Sequence, residues 1–247
     1  SFSPNQASHT KNILYSNNGN CEFVDVTSLV GLGNPGYSST SSWGDYDNDG
    51  DLDLYSANLG IHDDLNFTVY PQSNILYHNF FVETGSAYFE DYSTEVGGVY
   101  GSFRPPLTED ELIFGPGFSY RVKSIENPSA QGSILPSLKD VSYENKLKGT
   151  GATWALLFVD LNSDGGDDLL IGADFGMSAL YKNLQNGKFI LYTEQSGIDI
   201  PATAMGFDAA DFDGDLDLDY CQTNFGPNFI FEQTGDLTFE NIGLQNG

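Results

Sequence analysis

The 247-residue chain is poor in cysteine, histidine, tryptophan and methionine, and poorest of all in positive charge. Its two cysteines, Cys21 and Cys221, cannot form a disulfide framework, and their separation leaves open whether they pair with each other. The three histidines, His9, His62 and His78, fall in no recognisable metal or catalytic motif. A nucleophile elbow, an H-E-x-x-H helix and a phosphate-binding glycine loop are all missing, so the expectation is a non-catalytic protein. No apolar run approaches the roughly 20 residues of a membrane helix. Ser1 to Thr10 lacks the charged-then-apolar pattern of a targeting segment, and the chain reads as mature and soluble.

Nine Lys and Arg stand against 35 Asp and Glu, a formal charge of −26 that repels nucleic-acid phosphates and anionic membranes and favours cations as partners. A disordered acidic chain is poor in aromatics, yet here Phe reaches 18 and Tyr 14, beside 28 Gly. That mixture suits strands joined by tight turns and argues against long helices. Six of the nine bases, Arg104, Arg121, Lys123, Lys139, Lys146 and Lys148, lie between 98 and 152, where six acids balance them. The stretch differs from its surroundings and reads as an insertion, with a degenerate repeat as the alternative.

The rest of the chain repeats a two-part unit. One part is a hairpin whose first strand is Asn12-Ile-Leu-Tyr-Ser-Asn17, Asn74-Ile-Leu-Tyr-His-Asn79, Ser178-Ala-Leu-Tyr-Lys-Asn183 or Asn228-Phe-Ile-Phe-Glu-Gln233. The second strands centre on Phe23, Phe89, Phe189 and Phe239. The other part is an acidic loop between two strands, at 45–53, 160–168 and 211–219. From hairpin start to loop start the offset is 33 residues twice, from 12 to 45 and from 178 to 211. The units span about 12–97, 153–195 and 205–247, with the insertion at about 98–152.

Oxygen-bearing side chains recur at positions 1, 3, 5 and 9 of each loop. They are Asp45, Asp47, Asp49 and Asp53 in the first, Asp160, Asn162, Asp164 and Asp168 in the second, and Asp211, Asp213, Asp215 and Asp219 in the third. Alternate oxygens in a tight loop converge on one centre, and a carbonyl near position 7, from Asp51, Gly166 or Asp217, adds to the shell. Ca2+ accepts six to eight such oxygens in irregular geometry, whereas Mg2+ demands a tighter octahedron. No thiolate or imidazole lies within the loops, which disfavours zinc and copper. An EF-hand requires Glu at position 12, where this chain has Ser56, Ile171 and Gln222. The third loop departs from the others because Leu216 replaces the Gly50 and Gly165 of position 6, and so must either be strained or re-route the loop.

The loops, together with Trp43-Gly-Asp-Tyr-Asp-Asn-Asp-Gly-Asp-Leu-Asp-Leu-Tyr55, Asn12-Ile-Leu-Tyr and Phe23-Val-Asp-Val-Thr27, resemble the FG-GAP/VCBS repeat family of integrin-α-like propellers. Residues 12 to 96 are most similar to its cartilage-acidic-protein branch and bacterial relatives. The resemblance implies an all-β β-propeller of four-stranded blades, incomplete or part of a larger propeller, with each loop joining the inner two strands of a blade. It implies Ca2+ held by Asp45, Asp47, Asp49 and Asp53 with the Asp51 carbonyl, and by Asp160, Asn162, Asp164 and Asp168 with the Gly166 carbonyl.

The functional expectation is an extracellular, secreted or cell-surface module for adhesion or recognition of a protein or glycan, with the insertion as the distinctive contact surface. The alternative is a structural subunit or accessory domain of a larger surface assembly or secreted enzyme. A hairpin opens the chain without an inner strand pair of its own, so a longer chain or a second chain is expected to complete the ring. Asn66-Phe-Thr68 matches a glycosylation acceptor. Trp43 and Trp154, on strands entering acidic loops, are expected in blade cores rather than as carbohydrate platforms.

Overall fold

A computed structural model describes residues 11–33, 38–58, 61–63, 68–70, 74–93, 152–174 and 176–243. His9, Asn66 and the 98–152 stretch, except Ala152, lie outside these residues. The chain opens with a hairpin of β1 (Tyr15–Asn17) and β2 (Phe23–Asp25), in which Ser16 pairs with Val24. Next come β3 (Ser38–Gly44), β4 (Asp53–Asn58), a small hairpin of β5 (Ile61–Asp63) and β6 (Thr68–Tyr70), then β7 (Ile75–Asn79). A one-turn helix α1 (Phe81–Thr84) leads to β8 (Phe89–Asp91). The antiparallel order β3-β4-β7-β8 makes the first four-stranded blade.

The second blade orders β9 (Ala152–Val159), β10 (Asp168–Asp174), β12 (Ala179–Asn183) and β13 (Phe189–Leu191), with the two-residue β11 (Gly176–Met177) between its central strands in sequence. After α2 (Thr193–Ser196), β14 (Pro201–Ala202) pairs with β11. The third blade is β15 (Ala204–Ala210), β16 (Asp219–Asn224), β17 (Phe229–Gly235) and β18 (Thr238–Asn241), in that order. All four hairpins expected from the repeat are therefore present, and among the described residues the two helices are four residues each. The fold is all-β, with propeller-like blades.

Strand periodicity decides how the blades stack. In β10, Leu169 and Ile171 pack with Tyr46, Tyr55 and Leu76 of the first blade, while Leu170 packs with Tyr220 and Phe231 of the third. In β12, Ala179 and Tyr181 face the first blade and Leu180 the third. Successive side chains of a strand point to opposite faces, so a run of three buried aliphatics serves two interfaces at once. Burial of each aliphatic side chain stabilises by about 1.5–3 kcal/mol. A third cluster, Val30, Leu32, Tyr77 and Phe89, binds the segment after β2 to β7 and β8 of the first blade.

Trp43 and Trp154 are not core residues; they are 42% and 40% exposed. Both sit on the first strand of their sheet, which has a hydrogen-bonded neighbour on one side only, so their rings are half covered. Trp43 meets Phe89 edge-on at 6.0 Å between centroids. The two cysteines remain free thiols, Cys21 exposed and Cys221 partly buried.

Close approach of the second and third blades needs a residue without a side chain at Gly172, where a Cβ would stand 2.7 Å from the Ala204 Cβ and 2.9 Å from the Phe207 ring. Ala204 cannot swing aside. Gly172→Ala is expected to lose about 1–3 kcal/mol of stability in urea unfolding. An unchanged midpoint would show that the two blades do not pack as closely as described.

Candidate metal centres

Each acidic loop joins the first two strands of its blade and follows one backbone path. Position 4 (Asn48, Ser163, Gly214) and position 6 (Gly50, Gly165, Leu216) have positive φ in all three loops. The carboxylate at position 1 holds this path. Asp45 accepts the N–H groups of Asp49 and Gly50, Asp160 those of Asp164 and Gly165, and Asp211 those of Gly214 and Leu216. Position 5 then accepts the N–H of position 7: Asp49 from Asp51, Asp164 from Gly166, Asp215 from Asp217. Of the two outcomes open to Leu216, strain is the one realised: its φ is 79° and its side chain 84% exposed.

The carboxylate at position 9 is buried in every loop. Asp53 accepts the Tyr46 N–H at 3.3 Å and, on its other oxygen, the Asn79 N–H at 2.9 Å. Asp219 accepts from Phe212 at 3.2 Å and Gln233 at 2.8 Å. Asp168 accepts from Asn183 at 2.8 Å, and its Oδ2 has no hydrogen bond of full geometry, although the Leu161 N–H lies close enough to stabilise the carboxylate. One carboxylate thereby fastens the start of the loop or the end of the third strand of its sheet, and in two cases both. Burial pushes Asp53 up to about 7, against the pull of the Asn79 N–H and with a further push from Asp47. Burial likewise pushes Asp168 up to about 7. Burial, and then the neighbouring Asp49, raise Asp47.

The amides closing the hairpin strands complete the scheme. Asn79, Asn183 and Gln233 each donate to the position 8 carbonyl of their own loop, on Leu52, Asp167 and Leu218. Asn183 also donates to the Tyr46 carbonyl at 2.8 Å, and Gln233 to the Leu161 carbonyl at 3.0 Å. These acceptors stand at position 2 of the preceding blade's loop, so a single amide ties two blades. All three amides were visible at the end of the repeated hairpin strand, a regularity to which sequence reasoning attached no role.

The first loop gathers donors of Asp45, Asp47 and Asp49 within 4.8 Å of one another, and the third those of Asp211, Asp213 and Asp219. Among the described residues the second loop forms no such carboxylate trio, since Asn162 stands at position 3 and donates to Asp164 and Asp236. Fit to a cation is tested by the buried oxygens that lack partners. The first loop has three, Asp47 Oδ1, Asp49 Oδ2 and Asp51 Oδ1. The second has Asn162 Oδ1 and Asp168 Oδ2, and the third has none. Unpaired buried acceptors cost about 1–3 kcal/mol each, and a hard cation is the partner that removes that cost. Asp51 contributes more than the backbone carbonyl expected of it, because its side chain is buried and accepts the Val82 N–H.

An imidazole missed in the sequence stands beside the first loop. His78, on β7, is buried with Nδ1 3.2 Å from the Tyr46 hydroxyl, 3.3 Å from Asp53 Oδ1 and 3.6 Å from Asp47 Oδ2. Its Nε2 lies 3.4 Å from Glu83 Oε1, and its ring packs against Phe80 and Tyr92. The loops themselves contain no imidazole, as their sequences show, and the neighbouring strand supplies this one. No local motif could have exposed this, because His78 is 25 positions beyond Asp53.

Asn183→Ala removes both side-chain donors and strands the Tyr46 and Asp167 carbonyls, so a loss of about 2–3 kcal/mol is expected in urea unfolding. A loss below about 0.5 kcal/mol would contradict the inter-blade role. Leu216→Gly keeps the loop path and relieves the left-handed strain, and a gain of about 1 kcal/mol is expected in the same measurement. Destabilisation instead would mean that the Leu216 side chain is used.

A family model described as the FG-GAP-like repeat matches residues 5–56 and 160–222. The first match includes the opening hairpin and the first loop, the second the other two loops. A comparison with curated proteins found no match. Matched stretches, blade-like sheets and recurring loops agree, and residues 5–56 and 160–222 are similar to FG-GAP-like repeats.

Proposed function

We propose that the chain is a calcium-stabilised, non-catalytic recognition module that works outside the cell. The observation that carries this reading is the set of five partnerless buried acceptors, three in the first loop and two in the second. Asp45, Asp47, Asp49 and Asp53 would hold one ion and Asp160, Asn162, Asp164 and Asp168 another. In these sites Ca2+ neutralises carboxylates that burial and mutual repulsion otherwise disfavour. The third loop, exposed at Asp211, Asp213, Asp215 and Asp217 and without orphaned oxygens, binds more weakly through Asp211, Asp213 and Asp219.

Loops of this openness suit the calcium of extracellular fluids, with dissociation constants on the order of 10⁻⁴ to 10⁻³ M. Among the described residues no helix is long and apolar enough to cross a membrane. The acidic surface, −26 in formal charge, supports a protein or glycan partner over nucleic acid. A role as structural subunit or accessory domain of a larger assembly is the second reading, supported by the stacked-blade build and by a first hairpin that pairs with no further strand among the described residues.

Calorimetric titration of chelator-treated protein is expected to show two calcium ions bound per chain, with a weaker third. Asp49→Asn should remove one of the two. Absence of calcium-specific heat above a magnesium control would refute the reading.

A further inference from the structure

The geometry points to a second metal site beside the first loop, formed by His78 Nε2, Glu83 and Asp49 with Asp51 alongside, that takes a divalent transition metal such as zinc. One donor atom from each of Asp49, His78 and Glu83 lies within 4.8 Å of the other two. This trio is distinct from the trio of Asp45, Asp47 and Asp49, and Asp49 belongs to both. The site shares Asp49 and Asp51 with the acidic loop and adds His78 and Glu83, which that loop does not use.

Three features favour a metal over simple packing. First, Nδ1 of His78 faces only oxygens, those of Tyr46, Asp53 and Asp47. A ring proton on Nδ1 directed at the buried Asp53 carboxylate would leave the Nε2 lone pair free, the arrangement by which a carboxylate orients a metal-binding histidine. Second, Nε2 and Glu83 Oε1 are then two acceptors 3.4 Å apart. Ligands at about 2.0–2.2 Å from a tetrahedral zinc are separated by about 3.4 Å, so the spacing already matches one edge of the coordination polyhedron. Third, Asp51 is only 7% exposed, its Oδ2 is held by the Val82 N–H beside Glu83, and its Oδ1 has no partner. Its carboxyl lies within electrostatic reach of Asp49, Glu83 and His78. A mixed nitrogen and oxygen set suits zinc or its analogues, while calcium prefers oxygen alone.

Co2+ is the probe, because four-coordinate cobalt absorbs strongly in the visible. The full chain saturated with calcium is titrated with CoCl2, followed by displacement with zinc. One equivalent of cobalt with four-coordinate absorption, unaffected by excess calcium or magnesium and displaced by zinc, is the expected result. Glu83 is about half exposed, so Glu83→Gln leaves the fold intact. It should weaken cobalt binding about 10- to 100-fold while leaving calcium stoichiometry unchanged. His78→Gln should abolish the absorption. Cobalt displaced by calcium would mean that it occupies the acidic loop, and wild-type cobalt affinity in Glu83→Gln would remove Glu83 from the site. No visible absorption would leave the His78–Glu83 contact to a proton, and each of these three outcomes overturns the site. Loss of calcium binding with cobalt binding retained would count against the proposed function alone.

Discussion

A buried carboxylate at the end of each acidic loop is the constraint on which the rest of the structure depends. Asp53, Asp168 and Asp219 are removed from water and rely on backbone N–H groups for their hydrogen bonds. Burying an ionised carboxylate is costly unless donors and counter-charge surround it. The donors come from position 2 of the loop and from the far end of the third strand of the sheet, so satisfying the carboxylate also folds the blade. Burial, with repulsion from neighbouring loop carboxylates, pushes Asp53 and Asp168 up to about 7 despite these N–H groups. A cation in the loop would supply the remainder.

The same device passes order from blade to blade. Asn183 and Gln233 bind the carbonyls of position 2 in the preceding loop, and Asn48 of the first loop donates to the Gly165 carbonyl of the second at 2.9 Å. Beneath these polar ties, alternate residues of β10 and β12 send apolar side chains into both neighbouring blades. Loop, amide and core thus form layers of one interface, and an ion that steadies the loop steadies the interface too.

Most of this was legible in the sequence where it is local and repeated. Asn-Ile-Leu-Tyr hairpins and D-x-D-x-D loops announce strands and turns, because period-two alternation and left-handed turn positions are local demands. Leu216 at a glycine position signalled either strain or a re-routed loop, and the structure takes the strained course, because the requirement for positive φ belongs to the loop itself. Features that depend on tertiary neighbours stayed hidden. Trp43 and Trp154 read as core from their bulk, but the first strand of a sheet covers one side of them only. His78 read as an isolated histidine until β7 came to lie beside β4, placing its ring against Asp53.

The central claim is that cations complete the acidic loops and thereby hold the blades. Thermal unfolding of chelator-stripped protein across a calcium titration, with magnesium as control, tests it most directly, because an ion that binds the folded state alone raises apparent stability by mass action. The account predicts a calcium-specific rise in Tm that continues into millimolar concentrations and is reduced in Asp49→Asn. A Tm indifferent to calcium, or raised equally by magnesium, would contradict it.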